Sequence, residues 1–63
     1  MFVEINGTAY NLYSIAIIKK VDFMTDKETE YAIEYKSNSG GVLVEKFVSQ
    51  AERDTKYTEL LSK

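Results

Sequence analysis

The chain has 63 residues, of which 44% are hydrophobic and 29% charged, and its formal net charge at pH 7 is −2. It contains no cysteine, no histidine and no proline. This composition indicates one ordinary globular domain, excludes disulfide bonds and zinc sites built from cysteine and histidine, and argues against a mainly polyanionic partner.

The first predicted element is a β-hairpin over residues 2–12. Val3 and Ile5 alternate with polar residues, and the Asn-Gly dipeptide that follows them accepts positive φ at both centres of a type I′ turn. A two-residue turn places Ile5 opposite Thr8 and Val3 opposite Tyr10. One face of the hairpin is therefore apolar, as packing against a core requires.

Three further strands are predicted between polar turns, over residues 14–23, 29–36 and 42–48. The first of them is rich in β-branched residues, which favour strands. Strict alternation places Ile15 and Ile17 on one face and Ala16 and Ile18 on the other. The phase of the last strand is ambiguous, because apolar residues occupy both of its sides.

The end of the sequence predicts a helix over residues 50–62. Ser49 is a favourable N-cap, and Glu52 three residues later completes a capping box. At 100° per residue the apolar stripe of this helix consists of Tyr57, Leu60 and Leu61, with the stem of Arg53 at its margin. The predicted fold is therefore α+β, a single domain over residues 1–63 in which a bent antiparallel sheet of four to five strands carries one C-terminal helix packed across it.

No residue pattern in the chain indicates catalysis. Histidine, the commonest general base, is absent. Glu30 and Glu34 point the same way on one strand, but four residues separate their Cα atoms by about 13 Å, too far for a coupled pair of carboxylates. We therefore expect no enzymatic activity, no metal site and no cofactor.

The apolar surface of the predicted sheet exceeds what one helix can cover. Apolar residues point to both faces, and an uncovered apolar patch commonly marks an interface. We therefore expect a protein partner or a homodimer, with an interface formed by Ala16, Ile18, Leu43 and Phe47. The alternative is a tightly curled sheet that wraps its own core.

Binding of single-stranded nucleic acid is the second functional hypothesis. Aromatic side chains beside a positive groove hold single strands, and the candidate residues are Tyr13, Lys19, Lys20 and Lys36. The order of strands followed by a C-terminal helix resembles that of the dimeric single-strand binders of the positive cofactor 4 type. Acidic residues outnumber basic ones by ten to eight, which argues against this hypothesis.

The chain also resembles small uncharacterised proteins of phages and prophages of Gram-positive bacteria. The resemblance rests on the short, acidic, cysteine-free composition, on the opening hairpin and on the pattern F-x-S-x-x-E-R-D-x-x-Y-x-x-L-L from Phe47 to Leu61. It implies a non-enzymatic accessory role, such as binding and blocking a host or defence protein. We expect a cytoplasmic location and no membrane association, because no secretory signal and no apolar run of about 20 residues is present.

Overall fold

The computed structural model describes residues 1–63 and confirms the α+β class. Its strands are β1 (Phe2–Ile5), β2 (Thr8–Asn11), β3 (Ile15–Met24), β4 (Thr29–Ser37) and β5 (Val42–Phe47), and its helix is α1 (Gln50–Leu61). A short 3-10 turn, Leu12–Ser14, joins β2 to β3. The prediction of one bent sheet is corrected, because β1 and β2 form a sheet of their own and β3, β4 and β5 form a second one.

The two-stranded sheet is the predicted hairpin. Val3 lies opposite Tyr10 and Ile5 opposite Thr8, in the predicted register. Asn6 and Gly7 at the turn have φ values of 53° and 84°, the left-handed conformation that a type I′ turn needs. No hydrogen-bonded ladder joins the hairpin to the other sheet, so its apolar face is free to pack onto that sheet.

The three-stranded sheet is antiparallel in the order β3-β4-β5. Its register shifts at Ala16, since Ile15 pairs with Ser37 and Ile17 with Lys36. A bulge inserts one extra residue and so reverses the phase of the side chains beyond it. Ile18 therefore packs against the core together with Ile15, whereas Ile17 is exposed. The predicted phase of this strand, with Ile15 and Ile17 on one face, is wrong for that reason.

Helix α1 begins where the sequence predicts it. The Ser49 hydroxyl accepts a hydrogen bond from the N–H of Glu52 at 3.2 Å, as an N-cap should. Leu60 is buried and Tyr57 packs against the core, but Leu61 is 65% exposed. Consecutive helix residues are 100° apart, so a helix that directs Leu60 at the sheet turns Leu61 to its side. The prediction that Leu61 belongs to the apolar stripe packed on the sheet is therefore wrong.

The core lies between two layers. Five buried side chains form its centre: Val3, Ile5, Ile33, Tyr35 and Leu60. They come from the hairpin, from β4 and from α1, so the hairpin and the helix together cover one face of the three-stranded sheet. The opposite face of that sheet has no element packed on it. No helix of this chain is long and apolar enough to span a membrane.

Candidate functional site

The register of the three-stranded sheet divides its residues between two faces. Residues directly opposite each other on neighbouring strands point to the same side. We call the side that carries Ile33 and Tyr35 the core face and the other side the outer face. The apolar residues of the outer face are Ile17, Val21, Phe23, Ala32, Val42 and Val44, and its charged residues are Lys19, Glu30, Glu34, Lys36 and Lys46.

The apolar residues of the outer face are exposed mainly at one end. Ile17 and Val42 both pair with Lys36 across the sheet, and their side chains are 50% and 55% exposed. Ala32 at the centre is fully buried although it lies outside the core cluster, since it is short and its neighbours on this face, such as Val21, are longer. The outer face is therefore a mixed surface, with exposed apolar side chains among charged ones and no covering element.

The charged residues of the outer face largely neutralise one another. Lys19 Nζ lies 3.5 Å from Glu34 Oε1, and Lys46 Nζ lies 3.6 Å from Glu30 Oε2. Exposed ion pairs of this kind stabilise a fold by only about 0–1 kcal/mol, so their rearrangement costs a docking protein little. Lys36 is the one lysine of this face without an ion pair.

The four predicted interface residues do not form one exposed patch. Ile18, Leu43 and Phe47 lie on the core face and are half-buried against the core. Ala16 is exposed at the bulge of β3. These positions correct the face on which the interface was expected. The interface itself stays a prediction, and the surface available for it is the outer face.

The predicted nucleic-acid residues are divided between the two faces. Lys19 and Lys36 lie on the outer face, where Lys19 is already paired with a carboxylate. Lys20 lies on the core face, with its Nζ 4.0 Å from Asp54 Oδ1 and 5.2 Å from the centre of the Tyr57 ring. The three lysines therefore do not line one positive groove.

Tyr13 lies in the 3-10 turn, at the end of the sheet that also carries Lys36. Its backbone is fixed, because its N–H donates to Asn11 Oδ1 at 3.0 Å and its carbonyl accepts from Asn38 Nδ2 at 3.1 Å. Its side chain is 78% exposed. Tyr13 and Lys36 are thus the two of the four predicted residues that remain available near one another.

A buried arginine, Arg53, connects α1 to the core face; the sequence places its stem at the margin of the helix stripe but does not predict the burial of its guanidinium. Arg53 donates to Asp22 Oδ1 and Asp54 Oδ1, both at 2.7 Å, and to the carbonyl groups of Val21 at 3.1 Å and Ala32 at 3.4 Å. Burial lowers the pKa of Arg53, but the bonds to Asp22 and Asp54 outweigh that effect and raise the pKa above its ordinary value. The guanidinium therefore stays charged and fastens the helix to the sheet.

A second polar network joins the hairpin, the sheet and the helix. The Tyr35 hydroxyl donates to Glu45 Oε1 at 2.6 Å, and Lys56 Nζ donates to Glu45 Oε2 at 3.2 Å and to the Glu4 carbonyl at 2.7 Å. Burial of the ring, and then the bond to Glu45 and the negative charge of Glu45, raise the pKa of Tyr35 far above its ordinary value. Tyr35 therefore stays protonated and acts as a hydrogen-bond donor that holds the core together.

One small cleft lies between the hairpin and the sheet. Its volume is 230 Å³, and Tyr10, Ile15, Val42 and Leu43 are among its lining residues. Ligand sites usually have volumes of about 300–1,000 Å³ and a few converging polar groups. This cleft is smaller, and the lining residues with a polar side-chain group are Tyr10, Ser14, Tyr35 and Ser37, which carry hydroxyls only. It gives no support to a small-molecule site.

The chain was compared with models of protein families, with curated proteins and with solved structures. No family model, no curated protein and no solved structure matches it. The resemblances to phage-type proteins and to single-strand binders of the positive cofactor 4 type therefore stay predictions.

Proposed function

We propose that this chain is a small non-enzymatic protein-binding module that acts by occupying a surface of a partner protein. The observation that carries the proposal is the outer face, a surface of the three-stranded sheet with exposed apolar side chains that neither the hairpin nor the helix covers. Such surfaces on small proteins commonly serve association. The phage-type resemblance suggests an accessory or inhibitor protein that blocks a host or defence protein.

The chemistry of the outer face indicates the kind of partner. Ile17 and Val42 present exposed branched side chains on either side of Lys36. A complementary surface would be apolar at its centre and would carry a carboxylate near Lys36, the lysine without an ion pair. Self-association is part of the proposal, because a second copy of the chain is also a protein partner.

The test uses outer-face variants and a matched control. Wild-type protein, the double variant Ile17→Glu/Val42→Glu and the control Leu61→Glu serve as baits in a lysate of a Gram-positive bacterium. Leu61 is also apolar and exposed, but it lies on the helix. A protein captured by wild type and by Leu61→Glu, but not by the double variant, is then purified and its binding is measured by calorimetry.

The controls of this experiment separate binding from folding. All three baits should show the same circular dichroism, since the changed side chains are at least half exposed. Capture that the double variant retains in full would show that the outer face is not the binding surface. A partner that binds wild type and Leu61→Glu with equal affinity, and the double variant at least tenfold more weakly, supports the proposal.

Single-stranded nucleic acid is the second candidate, and the exposed pair Tyr13 and Lys36 supports it. Fluorescence anisotropy with labelled single-stranded DNA and RNA tests it directly. Binding that weakens steeply between about 50 and 200 mM salt, and that Tyr13→Ala and Lys36→Ala both reduce, would place nucleic acid above a protein partner. An unchanged anisotropy at micromolar concentrations removes this candidate.

A further inference from the structure

One edge of the three-stranded sheet presents backbone groups without partners. The N–H of Thr25 donates to the carbonyl of Glu28 at 2.9 Å, at the turn between β3 and β4. Hydrogen-bonded and non-hydrogen-bonded pairs alternate along an antiparallel ladder. The odd-numbered residues at 19, 21 and 23 therefore bond to β4. The N–H and C=O groups that point away from β4 belong to Ile18, Lys20, Asp22 and Met24.

The other edge of the sheet differs. The bond from the N–H of Ser37 to the carbonyl of Gly41, at 2.8 Å, fixes the ladder between β4 and β5 in the same way. The backbone groups of Val44 then point outward, and Asn6 Nδ2 of the hairpin turn donates to the Val44 carbonyl at 3.1 Å. No turn or side chain bonds to the backbone N–H or C=O groups of the four outward residues of β3, although the side chain of Asp22 accepts from Arg53. The hairpin turn thus binds the edge at β5 through one bond, to the Val44 carbonyl, whereas the edge at β3 has no such bond.

We propose that β3 pairs with β3 of a second copy of this chain, antiparallel and about a two-fold axis at Val21, so that the two three-stranded sheets form one continuous sheet of six strands. This inference specifies the self-association contained in the proposed function and rests on it. Added strands satisfy open edges in many complexes, because the backbone bonds supply affinity and the side chains select the partner. Here four outward residues on each strand would give about eight backbone hydrogen bonds.

Charge selects the position of the axis. An axis at Lys19, Lys20 or Asp22 would place that residue opposite its own copy, and like charges directly opposite each other are destabilising. An axis at Val21 places Lys20 opposite Asp22 of the second copy, twice by symmetry, and Val21 opposite itself. An axis at Val21 therefore brings two pairs of opposite charges together, whereas an axis at either neighbouring residue brings two like charges together.

The apolar residues near the edge agree with the same axis. Met24, which is 86% exposed, lies opposite Ile18 of the second copy, and Phe23 lies opposite the stem of Lys19. An axis nearer the start of β3 would involve the bulge at Ala16, which disrupts the ladder. The pairing at Val21 thus covers the flat part of β3 and the most exposed apolar residue in that strand.

The helices leave room for this pairing. Helix α1 packs over all three strands, with most of its contacts on β4 and β5. At a strand spacing of about 4.8 Å, β4 lies roughly 7 Å from the proposed axis, so the two helices would be about 14 Å apart. Packed helices approach to about 8–10 Å, so the second copy can dock without a clash.

Cysteine cross-linking tests the axis directly, because the wild-type chain has no cysteine. At a non-hydrogen-bonded pair the Cα atoms are about 4.5 Å apart, which a disulfide can span. Val21→Cys should therefore form a covalent dimer under mild oxidation. Phe23→Cys is the matched control, since it lies on the same face of the same strand but about 13 Å from its own copy in this register. A dimer that cross-links at 23 as readily as at 21, or not at 21, overturns the proposal.

Sedimentation equilibrium gives an independent readout with variants that cannot disturb the core. Wild type should have twice the 7.2 kDa mass of one chain. Met24→Asp should raise the dimer dissociation constant at least tenfold, and Val48→Asp, at the 93% exposed residue after β5, should leave it unchanged. At a protein concentration of about 100 μM, even a weak dimer with a Kd of ~10 μM is mostly formed. A wild-type protein that is monomeric at this concentration overturns the proposal. Equal dissociation constants for the two variants also overturn it. Partner capture by the outer face is read separately, so the two ideas can fail independently.

Discussion

Arg53 gives the sharpest test of how this small fold holds its helix. Replacing it by alanine removes two short bonds to carboxylates, two bonds to backbone carbonyls and a guanidinium that lies 5.5 Å from the centre of the Tyr31 ring. Hydrogen bonds to charged groups contribute about 1.5–3 kcal/mol each when their partners cannot rehydrate. Asp22 and Asp54 are about half exposed and can regain water. We therefore expect a total loss of about 2–3 kcal/mol in the free energy of unfolding.

That loss is large for this chain, since a domain of such size holds only about 3–5 kcal/mol of stability. Urea unfolding followed by circular dichroism measures it, and with a slope of about 1 kcal/mol per molar urea the midpoint should fall by about 2–3 M. Arg53→Met is the matched control, because it keeps the apolar stem and removes only the charge and its hydrogen bonds. Its loss should be smaller than that of Arg53→Ala, and the difference measures the packing of the stem.

A lysine at position 53 and a change of salt concentration test the same role of Arg53. Arg53→Lys keeps the positive charge but lacks the planar fork that reaches two carboxylates at once, so its stability should lie between those of wild type and Arg53→Ala. The difference between wild type and Arg53→Ala should change little between low and high salt, because buried pairs are weakly screened. A loss below about 0.5 kcal/mol, the size of an ordinary surface substitution, would refute the role assigned to Arg53.

Three further predictions concern the helix and the core. Leu60→Ala should cost about 2–5 kcal/mol in urea unfolding, whereas Leu61→Ala should stay within about 0.5 kcal/mol, and equal losses would contradict the orientation of α1. Ser49→Ala should cost about 1 kcal/mol by the same measurement through the lost N-cap bond, and no loss would show that the cap is dispensable. Because the fold keeps Tyr35 protonated above pH 10.0, where an unfolded tyrosine ionises, ionisation of Tyr35 should not make the free energy of unfolding depend on pH below that value. Above pH 10.0, the free energy of unfolding of wild type should fall with pH more steeply than that of Tyr35→Phe, by about 1.4 kcal/mol per pH unit. Parallel pH profiles of the two proteins would refute this expectation.

The local elements were predictable because their signals are short-range. The Asn-Gly turn fixed the hairpin register, and Ser49 fixed the start of the helix through one side-chain bond. The division into two sheets was not predictable, because nothing local distinguishes a hairpin that continues a sheet from one that folds over it. The bulge at Ala16 was not predictable for a similar reason, since the segment Ala-Ile-Ile contains no glycine or polar residue that marks an irregularity in a strand.

Both polar networks have a signal in the sequence. Glu45 lies between Leu43 and Phe47 in strict alternation, so a carboxylate in the phase of the core had to find a buried partner. Arg53 precedes Leu60 by seven residues and therefore lies on the same helix stripe. A charged residue in the phase of a core position is thus a better indicator of a buried network than its charge alone.

The outer face and the open edge of the sheet both include β3, and the area of the outer face relates the two proposals to each other. The outer face of one chain is three strands wide and about six residues long, roughly 14 Å by 20 Å, or ~300 Å². A standard protein interface covers about 800 Å² on each partner, so a single outer face is small for one. Pairing at Val21 would join two outer faces side by side and double this surface without any change in the fold of either chain. If both proposals hold, Met24→Asp should weaken partner binding although Met24 lies on the core side of the strand, and the complex should contain two copies of this chain for each partner.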